Sequence, residues 1–287
     1  MLKQVSPVSA TLRRELYTTS AGRGGLSAAA LRELWAFRDV LAAFIVRRVK
    51  VRYKQAAFGV AWAVLQPLAM AAIFALFLGR IAKVPSDGAP YFVFVFTGLT
   101  LWAYFAQALS AAINSLIEES GVLQKVYFPR EIPPLSVVAA GLVDLVVGII
   151  ILLGVVLVSG RTPNIYWLFL PLPALVVVVT ATAFSLVFAG LNVYYRDISI
   201  GLPFIIQTGL FASPVIYSTT LVTPGVRPYY EVFNPISAGI QAFRDVLLGA
   251  QRPDFAILGL ATAWGAVLLA LAYALFKMIE RRFADVV

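Results

Sequence analysis

Six long apolar stretches constrain the fold of this chain more than any other feature of its sequence. A helix needs about 20 mostly apolar residues to cross the hydrocarbon core of a bilayer. Five stretches contain no charged residue and one contains only Asp144; they lie at 59–78, 92–116, 134–158, 165–191, 198–217 and 255–276. We therefore predict an all-α membrane protein with six transmembrane helices, the fifth of which Pro203 and Pro214 could bend or split.

Composition agrees with a chain whose main solvent is lipid. Of its 287 residues, 61% are hydrophobic and 13% are charged. Soluble domains carry about 25% charged residues, so this chain has too little polar material to cover a surface that faces water. It has no His and no Cys, which excludes thiolate nucleophiles, disulfides and metal sites built from those residues. We expect no catalytic residue, no metal and no cofactor on this chain.

The nucleotide-binding motifs of soluble ATPases and dehydrogenases are also missing. Neither the glycine-rich phosphate loop nor the dinucleotide-binding fingerprint occurs in the sequence. If ATP drives any activity of this chain, its hydrolysis must take place on another polypeptide.

Basic residues are distributed unequally between the two sides of the predicted membrane. Of the 23 Lys and Arg residues, 17 fall on the side that carries both chain ends and 6 on the opposite side. Because loops rich in Lys and Arg stay in the cytoplasm, we predict that both termini are cytoplasmic. The net charge of +9 then faces anionic lipid and does not indicate nucleic-acid binding. The first apolar stretch begins too late for a cleavable signal peptide.

The part of the chain before the first stretch divides into two segments. Residues 1–28 are small, polar and Gly-rich, which is typical of a flexible tail. Residues 29–54 predict an amphipathic helix that lies in the cytoplasmic headgroup layer and ends in a basic membrane edge. Packing of this helix on a partner protein is an alternative. The predicted six-span domain follows at residues 55–287. The apolar face of the helix consists of Leu31, Leu34, Trp35, Leu41, Ala42, Ile45 and Val49.

Two segments between the stretches are candidates for specific tasks. The charged and aromatic segment 117–133 can form a short helix that docks a soluble partner, although an ordinary solvated turn explains it equally well. The segment 218–254, on the opposite side, is long for a turn. Asn234 and Pro235 are suited to start a helix of about 14 residues, which Gly249 would end. Such a helix is too short to span the membrane, so we expect it either to lie at the outer interface or to enter the membrane and return. A re-entrant piece of this kind indicates a gate.

Two helical faces combine aromatic rings with Gln amides and are candidates to line a transport path. A buried Gln needs a hydrogen bond, so it belongs at a helix contact or beside water and not against lipid. Aromatic rings beside amides suit sugars, whereas plain helix packing with aromatics at the lipid interface is the alternative. The two faces are formed by Trp62, Gln66, Ile73 and Phe77, and by Phe204, Gln207, Thr208 and Phe211.

Asp144 is the one acid well inside a predicted span. Ionisable residues at such depth are candidates for function. No second deep charge is visible in the sequence, which gives little support to proton coupling. We expect Asp144 to pair with polar groups of another helix, with a substrate contact as the alternative.

Four sequence segments, taken together and in order, resemble the permease subunits of type-2 ABC exporters that move lipid-linked polysaccharides such as O-antigen, capsule and teichoic acid. The resemblance covers the chain from about Leu34 to the C-terminus. The segments are VRYKQAAFGVAWAVLQPL at 51–68, KVYFPREIPPLS at 125–136, LNVYYRDI at 191–198, and SPVIYS at 213–218 followed by FNPISAGIQAFRDVLL at 233–248.

This resemblance implies a homodimer of six-span subunits in the bacterial cytoplasmic membrane. Each subunit would dock a separate nucleotide-binding subunit, which holds ATP and Mg²⁺. The resemblance implies that the segment 117–133 is the coupling loop to this ATPase, through Glu118, Glu119, Gln124, Lys125, Tyr127, Phe128, Pro129, Arg130 and Glu131. It also implies an outer gate around Tyr217, Asn234, Pro235, Phe243 and Arg244.

We therefore expect the permease subunit of an ATP-driven exporter that moves a polyisoprenoid-linked glycan out of the cytoplasm. A type-2 ABC permease for small drugs or lipids shares this topology and is the first alternative. A membrane enzyme that acts on glycosyl lipids is an alternative from another class, but it needs clustered acids or bases at one membrane face. The cytoplasmic acids of this chain are scattered instead.

Overall fold

A computed structural model describes residues 28–54, 61–249 and 251–280 of the chain. Within these ranges it contains helices and turns but no strand, so the all-α prediction is confirmed. The tail predicted at 1–28 lies outside the described residues, apart from its last position.

The helices of the described residues are numbered in chain order. The first four are α1 (Ala28–Ala36), α2 (Arg38–Lys54), α3 (Ala61–Phe74), which continues into a π-helical segment (Ala75–Ile81), and α4 (Tyr91–Ala112). Two single turns, α5 (Ser115–Glu118) and α6 (Ser120–Leu123), precede the long α7 (Ile132–Val158). A 3₁₀ turn (Ile165–Phe169) leads into α8 (Pro171–Tyr194), and the others are α9 (Asp197–Ala212), α10 (Arg227–Phe233), α11 (Pro235–Leu247) and α12 (Phe255–Glu280).

Four segments of the described residues are long and apolar enough to cross a membrane. They are α4, α7, the segment Ile165–Tyr194 and α12, which match the second, third, fourth and sixth predicted stretches. Two further apolar helices, Leu65–Ile81 and α9, are shorter. The fifth predicted stretch therefore does not reach spanning length. For the first, α3 and its π-helical continuation run without a break from Ala61 to Ile81, but side chains are described only from Leu65, so the count of six spans is not confirmed by length and composition.

The fifth predicted stretch is shorter than expected because of a proline. A residue that precedes proline is disfavoured in the α-helical region. Ser213, before Pro214, is accordingly extended, with φ −108° and ψ 151°, and α9 ends at Ala212. Pro203 lies inside α9 and does not split it.

The predicted amphipathic helix at 29–54 is interrupted at Phe37, which separates α1 from α2. α2 packs against α7, with Leu41, Ile45 and Val49 half-buried. Trp35, which the sequence pattern places on the same apolar face, is 71% exposed. The apolar face is therefore covered by the bundle along α2 but not around Trp35.

α4 lies at the centre of the helical bundle. It packs against α3, α7, α8, α9 and α11. Of its most apolar 18 residues 78% are buried, against 28% for α7 and 22% for α12. Because α7 and α12 are apolar yet largely uncovered, their outward surfaces suit contact with lipid.

The long helices connect two ends of the bundle, which are named by the helices found there. The α6 end carries α5, α6, the first turn of α7 and the last turn of α12, where Lys277 meets Glu131. The α11 end carries α10, α11 and the turn 213–218, which Arg244 contacts.

α11 forms where the sequence predicts a helix between Asn234 and Gly249. It has 13 residues, begins with Pro235, and is capped by the Asn234 side chain, which accepts a hydrogen bond from the Ser237 amide at 3.3 Å. Most of its residues are buried, so it enters the bundle between α4, α8 and α12 instead of lying on the surface. Gly239 allows this close approach, because a Cβ there would lie 2.8 Å from Val177 Cγ2 and 3.1 Å from the Pro173 carbonyl oxygen.

We predict that Gly239→Ala destabilises the protein, because the added methyl group lies too close to the stiff Val177 side chain and to the Pro173 carbonyl oxygen. Overpacking of this kind costs about 1–3 kcal/mol. Gly259→Ala on α12 is the matched control, since nothing lies within 4 Å of a Cβ at that position, and a helical Gly→Ala change alone is favourable by up to about 1 kcal/mol. Thermal unfolding in detergent, followed by circular dichroism, should give a lower Tm for the first variant only. Equal Tm values would contradict the close packing of α11 on α8.

Candidate functional site

The first candidate path face lies on α3 and its π-helical continuation. Gln66, Ile73 and Phe77 are all exposed, Phe77 to 56%. The side chain of Trp62, which the sequence places on this face, lies outside the described side chains. The described members of the face thus point away from the bundle.

The second candidate face, on α9, is exposed in the same way. Phe204 is 74% exposed and Phe211 54% exposed, and Gln207 and Thr208 are exposed between them. Leu202 is the only fully buried residue of α9, so this helix contacts the bundle through a narrow side. The geometry leaves both faces accessible to a cargo, a second copy of the chain or lipid.

The candidate coupling loop is anchored at its first end by Glu119. The Glu119 carboxylate is buried, accepts a hydrogen bond from Arg47 and lies 3.5 Å from an Arg48 nitrogen. Arg48 also lies 3.5 Å from the exposed carboxylate of Glu118. Burial lowers the pKa of the Arg48 guanidinium, and Glu118 opposes this effect. Two arginines of α2 therefore hold the start of the loop.

Glu131 anchors the other end of the loop to a different helix. Its side chain is 1% exposed, accepts a hydrogen bond from the Tyr273 hydroxyl at 2.8 Å and pairs with Lys277 Nζ at 2.9 Å. Lys277 also pairs with Glu280 at 2.8 Å. The last two turns of α12 therefore hold the end of the loop.

The loop residues between these anchors divide into a buried and an exposed group. Phe128 and Pro129 are buried, and the Phe128 ring lies 5.4 Å from that of Phe44 on α2. Arg130 is half-buried and donates a hydrogen bond to the Glu280 carbonyl oxygen. The exposed residues are Gly121, Val122, Gln124, Lys125, Val126 and Tyr127. Of the nine residues predicted to contact a partner, the structure therefore exposes Glu118, Gln124, Lys125 and Tyr127 most.

Asp144 pairs with side chains of α2, in agreement with the expected contact to another helix. It is 7% exposed and accepts hydrogen bonds from Arg52 and from the Tyr53 hydroxyl. Burial, aided by the bond to Asp144, raises the pKa of Tyr53 to about 12, so the phenol keeps its proton. Sequence patterns do not reveal this partner, because Arg52 belongs to a basic run typical of a membrane edge.

A small cavity lies beside Asp144 between α3, α4 and α7. Its volume is about 20 Å³, which is room for about one water molecule. Pro67, Thr100, Gln107 and Asp144 supply part of its lining. The cavity is too small for a cargo, so it does not form a path through one subunit.

Arg244 is the structural centre of the candidate gate. It is 3% exposed, and its guanidinium donates hydrogen bonds to the carbonyl oxygens of Pro214 and Val215, each at 2.6 Å. Longer bonds reach the carbonyls of Tyr217 and Phe94, and the guanidinium lies 3.6 Å from the centre of the Phe94 ring. Burial lowers the pKa of Arg244 to about 9, which still leaves it charged at neutral pH.

The carbonyl ligands of Arg244 explain why a buried cation is tolerated there without a direct ion pair. None of the ion pairs within 4 Å among the described residues involves Arg244. The turn after α9 leaves several carbonyls without helical partners, and a planar five-donor cation satisfies them together. Arg244 thus joins α11 to α4 and to the turn 213–218.

The remaining predicted gate residues lie close to this turn. The hydroxyls of Tyr217 and Tyr230 are 3.1 Å apart, and Tyr230 also donates to the Ala212 carbonyl oxygen at 2.8 Å. Asn234 and Pro235 start α11, and Phe243 is fully buried. The structure therefore brings the predicted gate residues together around the end of α9.

Among the described residues, no group of three or more His, Cys, Asp or Glu side chains lies close enough together to hold a metal ion. The charged clusters at the α6 end are ion pairs between helices. Their geometry suits the attachment of one helix to another.

Comparison with known proteins agrees with the resemblance seen in the four sequence segments. The chain is 26% identical over 249 residues to the O-antigen export system permease protein RfbA of Klebsiella pneumoniae, covering 86% of this chain and 95% of that protein. It is 25% identical over 256 residues to the protein of the same name from Myxococcus xanthus, covering 89% and 98%. A family model described as ABC-2 type transporter matches residues 40–248. Since this match includes most of the chain, the protein belongs to the ABC-2 type transporter family.

Proposed function

We propose that this chain is the permease subunit of an ATP-driven exporter and that its cargo is a lipid-linked polysaccharide. The observation that carries the proposal is the exposure of two faces that combine aromatic rings with Gln amides, on α3 and α9. The relatives at about 25% identity are export permeases for O-antigen, and such faces offer a glycan both stacking surfaces and hydrogen bonds. Small, fully apolar cargoes would not need the amides.

Two copies of the chain would enclose the path. With their α3 and α9 faces turned toward each other, the exposed Phe77, Phe204 and Phe211 rings would meet a cargo and not lipid. This arrangement also accounts for the early end of α9 at Ala212. Ends of helices and non-helical backbone are tolerated at membrane depth where they line a protected cavity, so α3 and α9 would complete a set of six spans per subunit.

The α6 end would face the cytoplasm and the α11 end the outside. The excess of basic residues near both chain ends supports this orientation. The ATPase partner, which would hold ATP and Mg²⁺, would dock on the exposed surface 121–127. Nucleotide binding by this partner would move the loop, and the gate around Arg244 would then open to the outside.

We predict that Phe204→Ala and Gln207→Leu each reduce glycan export without reducing expression or complex formation. The aromatic contact of Phe204 and the hydrogen bond of Gln207 are each worth about 1 kcal/mol, so each variant should lower cargo affinity roughly fivefold. The measurement is the cargo concentration that gives half-maximal stimulation of ATP hydrolysis by the reconstituted complex.

The control for the path variants is Ile150→Ala on α7. Ile150 is 61% exposed but lies on a helix that we do not place beside the path. Its removal should leave cargo stimulation unchanged. An equal loss in all three variants would show that general contact with lipid, and not a path, explains the exposed aromatic residues.

We predict that Val126→Asp weakens binding of the ATPase subunit at least about tenfold. Val126 is 58% exposed within the surface 121–127, and a carboxylate buried there without a partner would lose its hydration. The anchors Glu119 and Glu131 stay intact in this variant, so the permease itself should fold and insert. Co-purification and titration of the ATPase measure the effect.

Val158→Asp serves as the matched control for docking. Val158 is 91% exposed and lies at the opposite end of α7. ATPase binding should be the same as in the unchanged protein. Docking that is insensitive to Val126→Asp would exclude 121–127 as the contact surface.

A further inference from the structure

The two anchors of the coupling loop lead to different parts of the bundle. Glu119 is held by α2, and α2 reaches only the middle of α7, where Arg52 meets Asp144. Glu131 is held by Tyr273 and Lys277 of α12. With 26 residues, α12 is about 39 Å long, and it therefore extends from the α6 end to the α11 end.

At the α11 end, α12 contacts the candidate gate. It packs against α10, and the rings of Phe233 and Trp264 meet edge to face with centres 5.3 Å apart. α10 in turn holds the end of α9, because Tyr230 donates to the Ala212 carbonyl oxygen. A continuous set of contacts thus joins Glu131 to the turn 213–218, to which Arg244 donates its hydrogen bonds.

α12 is also packed closely enough to α8 for the two helices to move together. A Cβ on Gly190 of α8 would lie 3.2 Å from the Phe276 ring, and a Cβ on Gly265 of α12 would lie 3.7 Å from the Thr180 hydroxyl oxygen. Side chains that interdigitate at glycine positions transmit displacement instead of absorbing it. α8 also contacts α11 at Gly239, so the pair reaches both helices of the gate region.

We propose that α12 transmits movement of the coupling loop to the gate, and that the buried pair of Glu131 and Lys277 is the joint through which the loop moves it. Glu131 and Lys277 are positioning residues in this mechanism, since neither contacts the cargo or the nucleotide. The proposal rests on the proposed function, because the loop moves only if a nucleotide-driven partner is docked on it.

The covalent connection through α7 is the competing route. α7 begins directly after Glu131 and ends near α11, where Arg161 donates to the Leu248 carbonyl oxygen. This route needs no ion pair between the loop and α12. An experiment must therefore compare a reporter on α10 with a reporter at the end of α7.

The absence of Cys from the sequence makes such reporters simple to introduce. Tyr229→Cys reports on α10, where Tyr229 is 66% exposed, and Val158→Cys reports on the end of α7. The rate of maleimide labelling is measured for each reporter in the permease–ATPase complex in nanodiscs, without nucleotide and with ATP plus vanadate. For each reporter, the labelling rate with ATP plus vanadate divided by the rate without nucleotide is the nucleotide response.

We expect Glu131→Gln to bring the response at Tyr229→Cys to a ratio of one and to leave the response at Val158→Cys unchanged. Gln keeps the shape of Glu and an acceptor for Tyr273, but it cannot pair with Lys277. Lys277→Met should have the same effect on the α10 reporter. Lys277→Arg, which keeps the positive charge, should show the response of the unchanged protein. Asp39→Asn makes the same carboxylate-to-amide change on a side chain that is 88% exposed, and it should change neither response.

The outcomes separate this proposal from the one on which it rests. No response at either reporter in the unchanged protein would overturn nucleotide-driven gating, and the joint with it. A normal response at Tyr229→Cys in both Glu131→Gln and Lys277→Met would overturn the joint and leave the exporter function standing. Loss of both responses while the ATPase stays bound would also overturn it, because α7 would then depend on the same ion pair.

Discussion

A charge buried among apolar helices must be paired or surrounded by hydrogen-bonding groups, and this constraint determines how the bundle is held together. Asp144 is paired with Arg52, Glu119 with Arg47, and Glu131 with Lys277. Each pair joins helices that are far apart in the sequence. Removing the partner of a buried carboxylate leaves an uncompensated charge, so these contacts fix the relative positions of α2, α7, the coupling loop and α12. Arg244 meets the same constraint with carbonyl oxygens.

Much of the fold could be predicted from the sequence, because length and hydropathy are local properties. The second, third, fourth and sixth apolar stretches are long helices, and Asn234 starts α11 as its capping chemistry predicts. The differences lie where backbone geometry overrides hydropathy. Pro214 ends α9 although the apolar sequence continues to Tyr217, and the 29–54 helix is interrupted at Phe37.

The candidate site was predictable only as far as it depends on one helix at a time. The periodicity that placed Phe204, Gln207 and Phe211 on one face agrees with their common exposure. Periodicity could not show that Arg52 reaches Asp144 or that Lys277 holds Glu131, since these pairs bridge 92 and 146 positions of the sequence. Nor could it separate the buried loop residues from the exposed ones, because that difference arises from α2 and α12.

The position of the anchors also bears on how a loop of this size can transmit force. A flexible loop would absorb the movement of a docked partner by changing its own shape. Here the exposed surface 121–127 lies between two buried carboxylates, and Phe128 packs on Phe44 just before the second of them. Displacing this surface therefore requires either breaking a desolvated ion pair or moving the attached helix. Because breaking a buried pair leaves an uncompensated charge, movement of the helix is the less costly response, and a rigid α12 carries that movement to the opposite end of the bundle.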